Sequence, residues 1–389
     1  MSTVEAPREN QLAGETTFGI VDCDVHPYHV SGLDDLAPYL SAAWRQRLGI
    51  GDQPEWAKFI NGGQVGMPKN EFYRISSGPL RTDTIPPGGG VPGSDPAFVA
   101  KQLLDEYGID RAILLGGPNS GHGTFPNGAA LAAIASAYND WVIEHWCDVD
   151  ERYRAAILLA PHDAELAVNE IERVADRPGV VAIHMPLFNI APGEKHYWPV
   201  YEAAQHHGLP IIVHPGATEG TYTQAPGLGY VPTYYLEWHA CLTQPAQSSV
   251  ASLICHGVFE KFPNLMYVFA ECGFAWLVDL MWRLERDWKA QREEVPWVKK
   301  HPTDYLISNM RFTSQPFYEA GEPEQLHSVL DVIHAEQTLL FSSDYPHWDF
   351  DDPRRALKDL PDAIRDRVFA QNAIETFGDR LGSTSPACT

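Results

Sequence analysis

Eight short apolar runs alternate with helix-like stretches along most of the chain, and this alternation restricts the fold more than any other feature. The runs are FGIVDCDV (18–25), RAILLG (111–116), RAAILLA (154–160), VVAIHMP (180–186), PIIVHPG (210–216), LMYVFAE (265–271), MRFTSQ (310–315) and TLLFSSD (338–344). Strands that alternate with helices form parallel βαβ units. Eight such units are the number that closes a (β/α)8 barrel. The sequence therefore predicts an α/β fold built as one (β/α)8 TIM barrel.

A long segment between the first two predicted strands interrupts the alternation. It contains SSGPLRTDTIPPGGGVPGSDP, whose density of Pro and Gly predicts irregular loop, and it is too long for an ordinary βα connection. We therefore predict an insertion within 30–108, after strand one on the catalytic face. Its aromatic residues form either a lid over a pocket or a small stabilising core. The barrel is assigned to 18–381, with flexible tails at 1–17 and 382–389.

The charge balance argues against two classes of partner. The 389 residues include 28 basic and 51 acidic side chains, which gives a formal net charge of −23. Nucleic acids and anionic membrane surfaces select clustered Lys and Arg instead. No apolar stretch reaches the roughly 20 residues needed to cross a bilayer, and the first ten residues do not resemble a secretory signal. We expect a cytoplasmic protein with reduced cysteines and a small-molecule substrate.

Side chains that bind metal ions stand at the ends of three predicted strands that are far apart in the sequence. Asp24 and His26 lie two residues apart in VDCDVHP and so share one face of the first strand, while His214 ends the fifth strand and Asp344 the eighth. The C-terminal ends of barrel strands share one rim, where barrel active sites are built. Two imidazoles and two carboxylates suit Zn²⁺, with Mn²⁺ or Fe²⁺ as alternatives. A single histidine at a strand end is more often a core residue, so the prediction depends on all three strands together.

The same segments resemble the amidohydrolase superfamily and, within it, the amidohydrolase-related branch that contains aminocarboxymuconate-semialdehyde decarboxylase. The resemblance is carried by VDCDVHP, LPIIVHPG, GVFEKFPNLMYVFAECGFAW and FSSDYPH. It implies a (β/α)8 barrel with one divalent metal ion, held here by Asp24, His26, His214 and Asp344. The branch often has H-x-H or E-x-H on the first strand, and Asp24 keeps a coordinating oxygen at that position. Members of the branch are often dimers, so we expect a homodimer.

One position departs from the branch at the end of the sixth strand. Its decarboxylases usually carry an acid/base histidine there, whereas this chain has Glu271 in VFAECG. His256 is near in sequence, but a helix predicted to begin around Thr243 carries it about 16 Å from the rim, at about 1.5 Å per residue. Beside Gly257 it has a plain role at a helix end. Glu271 is therefore the candidate general acid or base.

Other side chains near the rim are candidates for contact with the substrate. His184 ends the fourth strand and is either a substrate contact or an outer neighbour of the metal. The catalytic candidates are Asp344, Glu271, His184 and His347, and the substrate-binding candidates are Tyr235, Trp238, His239, Trp348 and Arg81. Arg81 is the candidate clamp for a substrate carboxylate, and the aromatic side chains suit a small aromatic or cyclic acid. Aromatic residues are also common in cores.

The sequence leaves three functions open. The first is hydrolysis, in which Asp344 takes the proton of a metal-activated water that attacks a carbonyl-centred bond. The second is non-oxidative decarboxylation at the same metal site, since a carboxylic acid with a raised pKa can act as the proton donor. The third is a barrel that binds a small molecule without turnover. The complete set of metal-coordinating residues argues against this function. The resemblance favours decarboxylation, but the missing histidine favours hydrolysis, which we place first.

Overall fold

The computed structural model describes residues 19–51, 80–116, 127–187, 190–215 and 234–382. The predicted tail 1–17, residues 383–389 of the other tail, and the middle of the predicted insertion (52–79) lie outside the described residues. The described ranges include the central residues of all eight predicted strands.

Eight parallel strands form one sheet in which each strand pairs with the next along the chain. The strands are β1 Val21–Val25, β2 Arg111–Leu114, β3 Tyr153–Leu158, β4 Val180–His184, β5 Ile211–Val213, β6 Tyr267–Phe269, β7 Met310–Thr313 and β8 Leu339–Leu340. The last strand returns to the first, because the N–H of Cys23 donates to the carbonyl of Phe341 at 3.0 Å. This arrangement confirms the predicted (β/α)8 TIM barrel.

Helices follow most strands and pack around the barrel. In the described part of the chain the α-helices are α1 Ala42–Leu48, α2 Pro96–Val99, α3 Gly128–Val142, α4 Ala164–Val174, α5 Trp198–His207, α6 Tyr235–His239, α7 Thr243–Cys255, α8 Val258–Lys261, α9 Leu277–Gln291, α10 Pro302–Asn309, α11 Pro323–Val332, α12 Ala335–Thr338, α13 Asp362–Asp366 and α14 Asn372–Phe377. Their ends follow local sequence: Asp163 caps the start of α4, and Gly208, with φ of 62°, ends α5. None of the described helices combines the length and apolar character needed to cross a membrane.

The buried apolar side chains form two clusters, one on each side of the strand wall. The inner cluster contains Cys23, Ile113 and Ile212 together with Phe377 and Leu381 from the C-terminal segment. The outer and larger cluster joins the other faces of the strands to the surrounding helices. The C-terminal segment therefore packs into the barrel interior, at the end opposite the C-terminal ends of the strands.

A bulge in β1 decides which way its polar residues face. Cys23 packs inside the barrel, yet Val25, only two residues further on, packs outside it with the helices. The cause is a shift in the register between β1 and β2 before Val25. Asp24 and His26 consequently both face the interior at the C-terminal end of the barrel.

Several strands end earlier than the apolar runs in the sequence. β8 contains only Leu339–Leu340, and β5 ends at Val213. The residues after these strands continue towards the rim as irregular backbone, and they carry His214 and Asp344. The described end of the predicted insertion meets this rim, since Leu80 forms an isolated antiparallel β-bridge with His347, beyond the end of β8.

Candidate metal centre

Asp24, His26, His214 and Asp344 come together at the C-terminal ends of β1, β5 and β8. One nitrogen or oxygen from each side chain lies within 4.8 Å of those of the other three, and all four residues are buried. His26 Nε2 lies 3.1 Å from Asp24 Oδ1 and 2.9 Å from Asp344 Oδ1. His214 Nε2 lies 3.5 Å from Asp24 Oδ2. The structure thus brings together the four residues that the sequence analysis names as ligands.

Several polar atoms of this four-residue group are buried without a hydrogen-bond partner. They include both carboxylate oxygens of Asp24 and Nε2 of His214. Leaving such groups unpaired in the interior costs free energy, and a cation among them satisfies them all. His214 Nδ1 donates to the carbonyl of Pro215, so Nε2 presents its lone pair to the group. The residues present therefore fit a divalent metal ion.

The pKa values of the two carboxyl groups in this four-residue group are shifted in opposite directions. Burial raises the pKa of Asp24, but His214 and His26 outweigh burial and hold it below its usual value. Burial and the nearby carboxylate of Glu271 raise the pKa of Asp344. Asp344 also has a φ of 60°, a left-handed conformation that is uncommon for a residue other than glycine.

A chain of hydrogen-bonded side chains runs from Asp344 away from the four-residue group. His347 Nδ1 lies 2.7 Å from Asp344 Oδ1, and His347 Nε2 lies 3.1 Å from the hydroxyl of Tyr28. Both ring nitrogens of His347 are therefore engaged within the protein. Tyr28 was not identified from the sequence. Its place two residues beyond His26 in VDCDVHPYH is the only signal that could have suggested it.

His184, at the end of β4, lies beside the group as a neutral imidazole. The N–H of Gly116 donates to its Nδ1 at 3.0 Å, so the ring carries its proton on Nε2. Burial, together with the neighbouring imidazoles of His214 and His26, lowers the pKa of His184 to about 3. Its Nε2 is buried without a hydrogen-bond partner. His184 is consequently placed to donate a hydrogen bond to a molecule bound at the rim, and its catalytic role stays a prediction.

A second group of ligand-type side chains adjoins the first and consists of His239, Glu271 and Asp349. His239 Nε2 lies 3.0 Å from Asp349 Oδ2 and 3.7 Å from Glu271 Oε1. Glu271 also approaches the first group, because its Oε2 lies 3.1 Å from His214 Nε2. Asp349 was not identified from the sequence, where it is one of several aspartates in FSSDYPHWDFDDP.

Aromatic side chains form a wall beside the second group. The rings of Tyr235 and His239 are stacked, with centroids 5.7 Å apart, and the ring of Trp348 lies 5.5 Å from that of His239. Trp348 donates its indole N–H to the hydroxyl of Tyr235 at 3.1 Å. Trp238 is buried behind Tyr235. Four of the predicted substrate-binding residues therefore lie together, while their contact with a substrate stays a prediction.

The structure does not bring the Arg81 side chain to this wall. Its guanidinium binds Asp83, with Nε 2.9 Å from Asp83 Oδ1, and lies 4.6 Å from the centre of the Phe350 ring. Only the backbone of Arg81 approaches the rim, where its N–H donates to the carbonyl of Pro346. Its predicted role as a carboxylate clamp would require a different side-chain conformation.

Comparison with known proteins adds to this geometry. Residues 21–378 match the family model described as Amidohydrolase. An amidohydrolase of Mycobacterium avium subsp. paratuberculosis has a similar fold, with a TM-score of 0.70 and 21% identity over 93% of this chain and 99% of the other. The 2,6-dihydroxybenzoate decarboxylase of Rhizobium gives 0.59 and 18%, over 93% and 99%. The 5-carboxyvanillate decarboxylase of Novosphingobium aromaticivorans, crystallised with manganese, gives 0.62 and 20%, over 94% and 97%.

Proposed function

The chain is an enzyme of the amidohydrolase family, and from this premise we propose that it removes carbon dioxide, without oxidation, from a small aromatic carboxylic acid. Two of the similar structures are decarboxylases of 2,6-dihydroxybenzoate and 5-carboxyvanillate. These relatives favour decarboxylation over hydrolysis, which the sequence alone placed first. The buried His/Asp group fits the divalent ion that such a reaction uses.

The position of Asp344 is the observation that carries the proposal. Its carboxyl group belongs to the four-residue group and also ends the hydrogen-bonded chain through His347 to Tyr28. Each of these three groups can exchange a proton. Asp344 can therefore give a proton to the ring carbon that bears the carboxylate and recover one from His347. The bond from that carbon to the carboxylate then breaks, carbon dioxide leaves, and the ring regains its aromatic electron count.

The remaining side chains have roles in binding and orienting the acid. A divalent ion held by Asp24, His26, His214 and Asp344 would supply positive charge to the anionic oxygens of the substrate. The Nε2–H of His184 donates a hydrogen bond to a substrate oxygen. Tyr235 and Trp348 offer flat apolar surfaces to an aromatic ring.

The test is a product analysis with the metal-loaded enzyme. A panel of hydroxylated benzoic acids, esters and lactones is incubated in D₂O, and carbon dioxide and hydrolysed acids are measured separately. We expect carbon dioxide from at least one acid, with one deuterium at the vacated ring carbon. Asp344→Asn should slow the formation of this product about 1000-fold, and Asp279→Asn on the outer surface of α9 is the matched control.

Two outcomes would contradict the proposal. Ester or lactone hydrolysis without carbon dioxide from any acid would restore the hydrolytic function. Absence of all turnover by a folded chain that binds both metal and aromatic acids would indicate a binding protein.

A further inference from the structure

We propose that a second divalent cation binds between His239, Glu271 and Asp349, so that the rim holds two ions and Glu271 is shared between them. This inference goes beyond the single ion used in the proposed reaction. It does not depend on which bond the enzyme breaks.

The three side chains direct ligand atoms towards one another. One ligand atom from each lies within 4.8 Å of those of the other two. His239 Nε2 is buried and makes no hydrogen bond, although it lies 3.0 Å from Asp349 Oδ2. These two atoms lie close together but are not aligned for a hydrogen bond. Both are therefore directed towards the same space between the three side chains. A cation at that position satisfies the imidazole nitrogen and both carboxylates.

Glu271 is placed to contact both groups at once. Its Oε2 lies 3.1 Å from His214 Nε2 in the first group, and its Oε1 lies 3.7 Å from His239 Nε2 in the second. A carboxylate that joins two metal ions presents one oxygen to each of them, as in enzymes with two-metal sites. The glutamate at the end of β6 therefore has a geometric role that the usual histidine of the branch could not fill in the same way.

The charge of the rim also calls for a second cation. Asp24, Glu271, Asp344 and Asp349 contribute four carboxylates, and within the described residues their ion pairs are formed with histidines, never with Lys or Arg. An ion in the first group offsets charge on Asp24 and Asp344, which hold it, and only a second ion would offset charge on Glu271 and Asp349. Buried carboxylates without a cation are costly. An uncompensated negative rim would also repel an anionic acid.

The surrounding residues hold the second group in place. Gln315 Nε2 donates to Asp349 Oδ2 at 2.9 Å, and the backbone N–H of Glu271 donates to the hydroxyl of Thr313 at 3.0 Å. Metal-binding carboxylates are commonly oriented by such outer hydrogen bonds. One imidazole and two carboxylates suit Mn²⁺, Fe²⁺ or Zn²⁺ and leave coordination positions open.

Metal stoichiometry tests this proposal without any measurement of activity. Chelated full-length protein is equilibrated with Mn²⁺, passed over a desalting column and analysed for metal by mass spectrometry. We expect two ions per chain in the wild type and one in both His239→Gln and Asp349→Asn. His256→Gln is the matched control, because His256 lies beyond α7 beside Glu194 on the surface, and it should keep both ions. Circular dichroism verifies that each variant is folded.

Electron paramagnetic resonance provides an independent measurement on the same samples. Two Mn²⁺ ions that share Glu271 should give a spin-coupled spectrum in the wild type and the spectrum of an isolated ion in His239→Gln. A wild type that binds one ion would overturn the proposal, and so would equal ion content in the wild type and both variants. A single ion would mean that Glu271 belongs to the first centre or to none.

Discussion

The two ends of the barrel differ in whether their buried polar atoms have hydrogen-bond partners. At the N-terminal end, Arg111 and Arg154 both donate to the carbonyl of Leu381, at 2.7 and 3.1 Å. At the C-terminal end, the Asp24 oxygens and the Nε2 atoms of His214 and His239 are buried with no hydrogen bond. The two arginines at the first end thus find acceptors within the chain, whereas these atoms at the second end are left for a bound group. The difference is the one expected between residues that stabilise a barrel and residues that form its active site.

The largest effect should come from a change at the C-terminal end that leaves the fold intact. Asp344→Asn removes the proton that Asp344 exchanges with His347, and we expect a loss of about 1000-fold in kcat, the usual scale for a general acid or base. The thermal midpoint of the chelated protein should change little, because the amide oxygen of Asn can still accept the hydrogen bond from His347 and the amide carries no buried charge. Steady-state kinetics and a melting curve check both points. A large loss of stability would mean that Asp344 is mainly structural.

Removal of the metal should affect stability as well as activity. A ligand that binds only the folded chain stabilises it by about 2.7 kcal/mol at 100 times its dissociation constant. We therefore expect that chelation abolishes turnover and lowers the melting temperature, and that added Mn²⁺ restores both. The same treatment of Asp24→Asn should lower the melting temperature by less, because this variant has already lost the ion of the first group. Equal shifts in the two proteins would place the stabilising ion elsewhere.

A substitution at the N-terminal end of the barrel should lower stability and leave kcat unchanged. Arg111→Met removes donors from the carbonyls of Leu381 and Asp110, and we expect a loss of about 2 kcal/mol in the free energy of unfolding, the cost of unsatisfied buried groups. Urea denaturation measures this loss, and kcat of the folded variant should equal that of the wild type. A fall in kcat at full folding would remove the distinction between the two ends.

The smallest effect tests how far the reactive region extends from the metal group. Tyr28→Phe deletes the hydroxyl that lies 3.1 Å from His347 Nε2. We expect kcat to fall about 10-fold, the scale of lost outer hydrogen bonds at metal sites, with KM and the bound metal unchanged. The kcat of His347→Gln should fall further than that of Tyr28→Phe, since this substitution removes the side chain that contacts Asp344 directly. If Tyr28→Phe matched the wild type, the proton path would end at His347.

The candidate site was only partly visible in the sequence, and the reason differs from residue to residue. Asp24, His26, His214 and Asp344 were identifiable because each stands at the end of an apolar run, and parallel strands bring such ends to one rim. Asp349 and Tyr28 lie in irregular segments, where no periodicity predicts the direction of a side chain. Arg81 was expected at the substrate, but in the structure a local pair with Asp83 holds its guanidinium.

The sequence by itself determined the barrel and four of the polar residues at its rim, because the alternation of apolar runs and helices is a local property of the chain. Only the tertiary structure decided how the polar residues meet. The bulge between Asp22 and Val25 and the left-handed backbone of Glu271 and Asp344 turn the carboxylates of Asp24, Glu271 and Asp344 into the site. These features depend on hydrogen bonds between distant segments, such as that from Ser343 N–H to Asp22 Oδ1, and pairing across the barrel is not encoded within any single stretch of sequence.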